Sequence, residues 1–413
     1  MIDYVKSIYF LAFNSGLYSG FSKFTISLWL KEAGATPLIL NIFTTTMFPS
    51  VCCVFWMPFL EKYNIIEKIK CGNKKKLIML FEFLIAISTL SFCLFNIKEL
   101  NYISSIFLII ILIIYASLIS TRDALSIGYK MEFMKKENVI NYDGIISSFY
   151  QAGMLTGTVF FYKLSDYLMW KNVFLLMFIY MIINFLIDAI IQNSSDIFEK
   201  KMSLKEQYTA PFKSLLIINK GIVLPLMFFL LFYNLPDRML VGNLNYYFLD
   251  SGISKDKFIA LRLIGGICSV IIGFFTVYLT KFLGLEKMLL VSTCLYSLIP
   301  FLILLNIEFN IFINYNEFFL IILFFLDKLF KSFQGNTFFS YQMQFCEQGM
   351  SSTQRSLFMF LERGFCSAII APILGLVLKY YGYKTFFSIV SFSLILSIYS
   401  LFWLKSANAK KRN

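Results

Sequence analysis

Long apolar stretches separated by short polar ones recur along the whole chain. Each stretch holds roughly the twenty apolar residues that a helix needs to cross a bilayer. We predict twelve spanning helices, at about residues 7–30, 38–60, 77–96, 104–128, 144–166, 169–191, 221–247, 257–280, 287–306, 318–345, 352–378 and 383–404. The stretches are too long and too little alternating for barrel strands. The pattern therefore predicts an all-α polytopic membrane protein.

The longest polar stretch, QNSSDIFEKKMSLKEQYTAPFK, lies near the middle of the chain at residues 192–213. It separates two sets of six predicted helices. The stretches LSDYLMWKNVFLLM and VLKYYGYKTFFSIV, one from each set, align with each other. Similarity between six-helix halves is typical of the major facilitator fold, in which the substrate binds between the halves at mid-membrane. We predict an N-terminal half at 1–191, a cytoplasmic central loop at 192–220, and a C-terminal half with a short basic tail at 221–413.

Composition and charge support a membrane location. The chain is 58% hydrophobic with a mean hydropathy of +0.72, which excludes an ordinary soluble protein. Its net charge of +13 follows the predicted loops, because basic residues favour the cytoplasmic side. The loops predicted to be cytoplasmic and the C-terminal tail hold Lys62, Lys68, Lys70, Lys74, Lys75, Lys76, Lys135, Lys136, Lys200, Lys201, Lys205, Lys213, Lys220, Lys405, Lys410, Lys411 and Arg412. We predict a multi-pass inner-membrane protein with both termini cytoplasmic, in contact with the lipid bilayer and not with nucleic acid.

Histidine and two common catalytic motifs are missing from the sequence. The chain has no histidine, so an imidazole cannot serve as acid, base, metal ligand or proton shuttle. It has neither a G-x-x-x-x-G-K-[ST] loop nor a G-x-S-x-G elbow. The eight cysteines form no C-x-x-C pair and are typical of small buried hydrophobic residues. The sequence predicts neither an enzyme nor a cofactor or metal site.

Two adjacent charges, Arg122 and Asp123, lie within the fourth predicted helix. A charge at a helix centre costs about 2.5–3.5 kcal/mol on insertion, so the pair should face a water-filled cavity or a partner. Tyr115, Ser126 and Tyr129 fall within about 60° of Arg122 around the helix, which forms a polar stripe. One interpretation is a cavity wall in which Arg122 binds an anion. The alternatives are an interhelical ion pair and a charge near the cytoplasmic mouth.

Other polar residues lie inside predicted helices and carry similar alternatives. Asp237 and Arg238 could bind the solute, couple transport or latch the two halves together. Asp327, Lys328 and Lys331 are ambiguous, but with Gln334 and other polar residues they suggest that part of the tenth helix lines a cavity. Lys23 could contact the solute or extend its amine to the membrane surface. Arg262, Glu362 and Arg363 are more typical of interhelical pairs.

Several segments resemble the AmpG-type muropeptide permeases. In GFSKFTISLWLKEAGATPLILNIFTTTMFPSVCCVFWMPFLEKY the resemblance rests on Trp29-Leu-Lys-Glu-Ala-Gly34 and on Trp56, Pro58, Glu61 and Lys62. Further similar segments are TRDALSIGYKMEF, LPDRMLVG, LDKLFKSFQGNTFFSYQMQFC and SSTQRSLFMFLERG, so the resemblance covers nearly the whole chain. Glu61 and Lys62 match the facilitator loop signature, which implies a role at the inner gate.

Some polar positions of the family pattern are changed in this chain. Ile127 replaces a second Asp, Ser27 a Gln, and Cys53 and Asn234 each replace a Lys. The resemblance therefore implies a diverged paralogue whose solute could differ from anhydro-muropeptides.

The resemblance implies a secondary transporter that imports an anionic amphiphilic solute, such as a cell-wall fragment, by alternating access. Protons are the expected coupling ion, and Asp123 is the expected carrier because it matches the acidic position of the family motif. A permease for another metabolite, such as a peptide or a coenzyme-like anion, is an alternative within the same fold. A transport-inactive membrane sensor or scaffold is an alternative of another class.

Overall fold

The computed structural model describes residues 2–32, 51–62, 73–95, 102–133, 139–190, 203–218, 221–240, 243–309, 316–347, 350–364 and 369–412. Every regular element in these ranges is a helix. Seven of the described helical stretches are long and apolar enough to cross a membrane: Lys74–Leu94, Ile103–Met131, Trp170–Ile190, Val223–Leu240, Asp256–Leu283, Leu285–Phe309 and Ile373–Asn408. Each predicted segment is mainly helical where it is described, although most of 38–60 lies outside these ranges. The prediction of an all-α membrane protein is confirmed.

The α-helices are numbered here in chain order. They are α1 (Ile2–Gly20), α2 (Ile26–Glu32), α3 (Met57–Lys62), α4 (Asn73–Ser91), α5 (Tyr102–Phe133), α6 (Val139–Leu155), α7 (Phe161–Ser165), α8 (Trp170–Ile190), α9 (Leu204–Ile218), α10 (Val223–Phe232), α11 (Leu235–Leu240), α12 (Asn243–Asp250), α13 (Lys255–Leu283), α14 (Leu285–Phe309), α15 (Asn316–Met343), α16 (Ser351–Met359) and α17 (Ala371–Arg412). Shorter 3-10 turns occupy Cys52–Phe55 and Phe92–Leu94, and π-helical turns occupy Phe21–Thr25, Thr156–Phe160 and Phe360–Gly364.

The chain forms two compact units by packing. Unit 1 combines Met1–Lys136, Phe149–Phe212 and Cys346–Phe360, and unit 2 combines Glu137–Ser148, Lys213–Phe345 and Leu361–Asn413. Most of each unit comes from one half of the chain, but α16 belongs to unit 1 and the first part of α6 belongs to unit 2. The predicted division of the chain into an N-terminal half at 1–191, a loop at 192–220 and a C-terminal half at 221–413 stays a prediction.

Unit 1 is held together by an aromatic core and by one close helix contact. Trp29 of α2 lies 4.8 Å from Phe174 of α8 between ring centroids, and Phe92 lies 5.5 Å from Phe174. The close contact joins α1 to α6, where Gly16 and Gly20 face the backbone of residues 150–154. A Cβ on Gly16 would overlap the carbonyl oxygen of Tyr150. Small residues let two helix backbones approach in this way.

Unit 2 is built around α13, α14, α15 and α17, with a core that includes Phe248, Phe324 and Phe387. The helix α17 is interrupted at Gly382, whose φ of 73° lies in the left-handed region that glycine adopts without steric cost. This interruption falls between the predicted segments 352–378 and 383–404. The sequence therefore placed the break between the last two spans correctly.

Candidate substrate and coupling sites

Arg122 of α5 is completely buried and contacts Glu82 of α4. Its Nε and Nη2 atoms donate to Glu82 Oε1 at 3.1 and 2.5 Å. Its Nη1 donates to the carbonyl oxygen of Leu11 at 3.3 Å and to the hydroxyl of Ser15, both on α1. The guanidinium also lies 5.1 Å from the ring centroid of Tyr18. Arg122 thus joins three helices of unit 1.

This geometry is an interhelical ion pair with both side chains fully buried. Removing one partner from such a pair leaves an uncompensated charge in a low-dielectric interior, which is strongly destabilising. Of the interpretations that the sequence left open for Arg122, the structure shows the interhelical ion pair. A direct role of Arg122 in solute binding stays a prediction.

Asp123 lies beside the same guanidinium at a longer distance. Its Oδ1 is 3.8 Å from Arg122 Nη1, and its side chain is 18% exposed, whereas that of Glu82 is fully buried. The other members of the predicted stripe, Tyr115, Ser126 and Tyr129, are buried. Tyr115 and Tyr129 pack in the apolar clusters of unit 1. The stripe therefore contributes to the interior of this unit.

Asp188, in the last turn of α8, joins the Arg122 group as a second buried carboxyl. It is 1% exposed and lies within hydrogen-bonding range of Glu82. Neither Glu82 nor Asp188 is among the site residues predicted from the sequence. Both are isolated acids within apolar runs, FEFLIAIS and NFLIDAII, and an acid in a spanning helix is itself the signal of a functional or paired position.

In unit 2 the structure brings Asp237 of α11 together with Lys331 of α15. Lys331 Nζ lies 2.6 Å from Asp237 Oδ1, and the hydroxyl of Tyr296 donates to the same oxygen at 3.2 Å. Asp237 is buried, whereas the Lys331 side chain is 39% exposed. The acid is thus the inner partner of this pair and the amine the outer one.

A second acid, Glu362, accepts hydrogen bonds from three other residues of unit 2. Arg238 Nη2 donates to Glu362 Oε1, and Asn234 Nδ2 donates to the same oxygen at 3.5 Å. Gln342 Nε2 donates to Oε2 at 3.4 Å, and Arg363 Nε lies 3.9 Å from Oε1. Glu362 is 3% exposed, against 25% for Arg238 and 33% for Arg363. Again the cations are the more exposed partners.

The remaining candidates of α15 lie on either side of Lys331. Asp327 is buried and pairs with Lys328 at 2.8 Å, and Arg262 of α13 interacts with the same carboxylate. Gln334 is buried, and its Nε2 has no hydrogen-bond partner among the described residues. The Lys23 backbone lies in the π-helical turn after α1, but its side chain lies outside the described part of the chain.

Glu61, at the end of α3, connects two other elements of unit 1. Lys74 Nζ at the start of α4 lies 3.2 Å from Glu61 Oε1, and the hydroxyl of Thr353 on α16 donates to Oε2. Lys62 is half-buried at the last position of α3. This geometry is what a bracing role at a gate requires, although the role itself stays a prediction.

Comparison with known proteins identifies the fold and the broad function. The profile of the Major Facilitator Superfamily matches residues 8–363. The chain is 26% identical over 394 residues to "Putative transporter AmpG 2" of Rickettsia bellii (strain RML369-C), covering 94% of this chain and 93% of that protein. It is 25% identical over 401 residues to the protein of the same name from Rickettsia felis (strain ATCC VR-1525 / URRWXCal2), covering 95% and 94%. The predicted AmpG-type resemblance and the prediction of a transporter in place of an enzyme are confirmed.

Solved structures agree with the fold at much lower identity. A bacterial homologue of the iron transporter ferroportin, in an outward-facing state with soaked iron, aligns with a TM-score of 0.70 and 11% identity, covering 97% of this chain and 99% of that one. The proton:xylose symporter XylE bound to 6-bromo-6-deoxy-D-glucose aligns with a TM-score of 0.70 and 12% identity, covering 96% and 94%. The predicted major facilitator fold is confirmed.

Proposed function

The chain belongs to the Major Facilitator Superfamily and is a multi-pass membrane transporter, and we propose that it imports an anionic, amphiphilic solute by alternating access. The preferred solute is a muropeptide-like cell-wall fragment, and the membrane is the inner membrane with both termini cytoplasmic. The AmpG name of the relatives supports this solute class, and the lysine distribution of the loops supports the orientation.

The observation that carries the proposal is an excess of partly exposed cations in unit 2. Arg238, Lys331 and Arg363 each lie within ion-pair distance of one of two acids, Asp237 and Glu362. The acids are buried and the cations are partly exposed, so the accessible charge of this group is mainly positive. Guanidinium and ammonium groups in such a place suit the carboxylates of a peptide-bearing solute.

Proton coupling forms part of the same proposal. With no histidine in the chain, carboxyl groups are the side chains suited to take up and release a proton inside the membrane. The sequence assigns this role to Asp123, whose partial exposure and 3.8 Å contact with Arg122 are compatible with it. One of the aligned structures is that of a proton:xylose symporter, so the fold accommodates proton-coupled transport in that protein.

The test compares variants that remove the exposed cations with a variant at a peripheral ion pair. We expect Arg238→Gln combined with Lys331→Gln to weaken binding of an anhydro-muropeptide about tenfold or more, equivalent to about 1.4 kcal/mol. Lys257→Gln is the control, because Lys257 pairs with Glu317 at 2.6 Å and both side chains are more than half exposed. Binding is followed by thermal stabilisation of the purified protein and uptake by radiolabel in proteoliposomes.

The alternatives predict other results in the same assays. A permease for another metabolite would be stabilised by a peptide or a nucleotide-like anion and not by the muropeptide. A transport-inactive sensor would show binding without uptake. Unchanged muropeptide affinity in the double variant would contradict the assignment of the cation group to solute binding.

A further inference from the structure

The carboxyl group of Asp188 has an unusual environment for an ionised acid. The residue is 1% exposed, and neither Oδ1 nor Oδ2 has a hydrogen-bond donor among the described residues. Burying a carboxylate without donors costs several kcal/mol, so such a group is expected to hold a proton instead. In its protonated form Asp188 needs a hydrogen-bond acceptor for its O–H group.

Glu82 supplies that acceptor. Its Oε1 receives both hydrogen bonds from Arg122, while its Oε2 is buried without a hydrogen-bond partner among the described residues. The two carboxyls are within hydrogen-bonding range of each other, but a bond between them exists only when one of them is protonated. A single proton between Asp188 and Glu82 Oε2 would give each of the two groups a hydrogen bond.

Arg122 donates no hydrogen bond to Asp188 among the described residues. Four of its five N–H groups donate to Glu82 Oε1, to the Leu11 carbonyl and to the Ser15 hydroxyl. With both acids ionised, the two carboxylates and one guanidinium would carry a net negative charge in the interior. With one proton bound, the three groups are neutral together.

The other titratable or charged groups that face the pair come from each packed helix. Tyr18 of α1 receives a hydrogen bond from Asn184 Nδ2 at 3.4 Å, and Tyr180 of α8 donates to Asn14 Oδ1 at 2.9 Å. Asp123 Oδ1 of α5 lies 3.8 Å from Arg122 Nη1, and Lys75 of α4 is a buried cation whose electrostatic interaction with Asp188 is weaker than that of Glu82. None of these four residues forms a hydrogen bond with Asp188 in the described part of the chain.

We propose that Glu82 and Asp188 form a proton-binding pair that holds one shared proton, and that this pair takes part in proton coupling. The second part rests on the proposed function of this chain as a proton-coupled importer. Asp188 lies two residues before the end of α8, and the predicted orientation places that end at the cytoplasmic side. Loss of the proton there would set two carboxylates against each other and weaken the contact between α4 and α8.

The first experiment detects the proton without transport. Infrared spectra of the purified protein in lipid nanodiscs at neutral pH are compared in light and heavy water for the wild type and for Asp188→Asn. The side-chain amide that this substitution introduces can still donate to Glu82 Oε2, so the variant is expected to fold. Asp166→Asn is the control, because Asp166 is an exposed acid of the same unit paired with Lys163 at 3.1 Å.

We expect the wild type and the Asp166→Asn control to show the carbonyl band of a buried protonated carboxylic acid, and Asp188→Asn to lose it. A wild-type spectrum without such a band, or a band that persists unchanged in Asp188→Asn, would overturn the pair. Should Asp188→Asn not fold, Glu82→Gln must remove the same band. The stability of the wild type in sodium and in potassium is compared in parallel. A wild type that lacks the band and is more stable in sodium than in potassium would hold a cation at this site, which would also overturn the proposal.

The second experiment measures muropeptide uptake in proteoliposomes with and without a pH gradient. We expect Asp188→Asn to lower gradient-driven accumulation about tenfold or more while downhill exchange stays within about threefold of the wild type. If Asp188→Asn still accumulates the muropeptide as the wild type does, the pair takes no part in proton coupling. If the wild type itself transports nothing, the proposed function fails, but the infrared result still decides whether the pair holds a proton.

Discussion

At the scale of single residues, charge balance decides what the buried polar groups of unit 1 can do. Arg122 and Glu82 have no exposed surface, so each charge is compensated by the other and not by water. A pair of this kind contributes little net stability compared with apolar side chains of similar size, but breaking it is costly. This asymmetry gives a direct test of the interhelical ion pair.

We predict that Arg122→Met alone lowers the free energy of unfolding by about 3–5 kcal/mol, because the carboxylate of Glu82 is left buried without its guanidinium. Combining Arg122→Met with Glu82→Leu should restore most of the loss. The measurement is thermal unfolding of the purified variants in detergent. A double variant no more stable than the single one would show that Arg122 stabilises unit 1 through Leu11, Ser15 and Tyr18 and not through charge.

Candidate functional residues could be recognised from the sequence, but the residues with which they pair could not. Arg122, Asp237 and Arg238 were recognisable because charges inside apolar helices need an explanation. Their partners were not, since Glu82 is 40 positions from Arg122 and Glu362 is 124 from Arg238. Only the packing of helices in space brings such residues together, and a single sequence carries no direct signal of that packing.

At the scale of helices, close approach depends on residues without a side chain. The contact of α1 with α6 and the π-helical turn after it is formed from both sides, because Gly153 and Gly157 in turn face the backbone of Phe13 and Leu17. The neighbouring atoms belong to the main chain and cannot rotate away. A methyl group therefore has to separate the two helices.

We predict that Gly16→Ala lowers the free energy of unfolding by about 1–3 kcal/mol and reduces the yield of folded protein. The matched control is Gly335→Ala in α15, where nothing lies within 4 Å of an added Cβ. That control is expected to be neutral or slightly stabilising, because alanine favours a helix over glycine. Equal melting temperatures for the two variants would show that the contact between α1 and α6 tolerates an added methyl group.

The end of α3 carries a second prediction at this scale. Glu61 contacts the start of α4 through Lys74 and contacts α16 through Thr353, so its loss should loosen three helix ends without touching the cation group of unit 2. We expect Glu61→Ala to slow turnover severalfold with little change in solute affinity. The exposed Glu317→Ala variant serves as the control. A normal transport rate for well-expressed Glu61→Ala would exclude a gating role.

At the scale of the whole molecule, the fold was predictable because the bilayer imposes a simple requirement on sequence. A spanning helix must be apolar over its whole length, so the positions of most helices, including the break at Gly382, could be predicted from hydrophobicity. The π-helical turns and the exchange of α6 and α16 residues between the packing units could not. These features depend on local packing between helices that are equally apolar.

The orientation of the chain gives a prediction that does not depend on the solute. We predict that a reporter fused after residue 205 lies in the cytoplasm and one fused after residue 100 lies outside, because the loop lysines are concentrated on alternate sides. Paired fusions to alkaline phosphatase and green fluorescent protein measure this directly. The same side for both positions would reject the twelve-span arrangement and, with it, the cytoplasmic placement of the Asp188 end of α8.

The membership of α16 in unit 1 has a consequence for how a ribosome makes this protein. Six of the eight buried side chains of α16 are polar, and Ser351 donates to the carbonyl of Gly128 on α5 at 3.1 Å. Residues 213–345 must be synthesised before α16 exists, which takes roughly 7–27 s at about 5–20 residues per second. During that interval Gly128 and Glu61 lack their α16 contacts while the nascent chain is already in the bilayer. Unit 1 therefore cannot be completed until α16 has followed all of residues 213–345 from the ribosome.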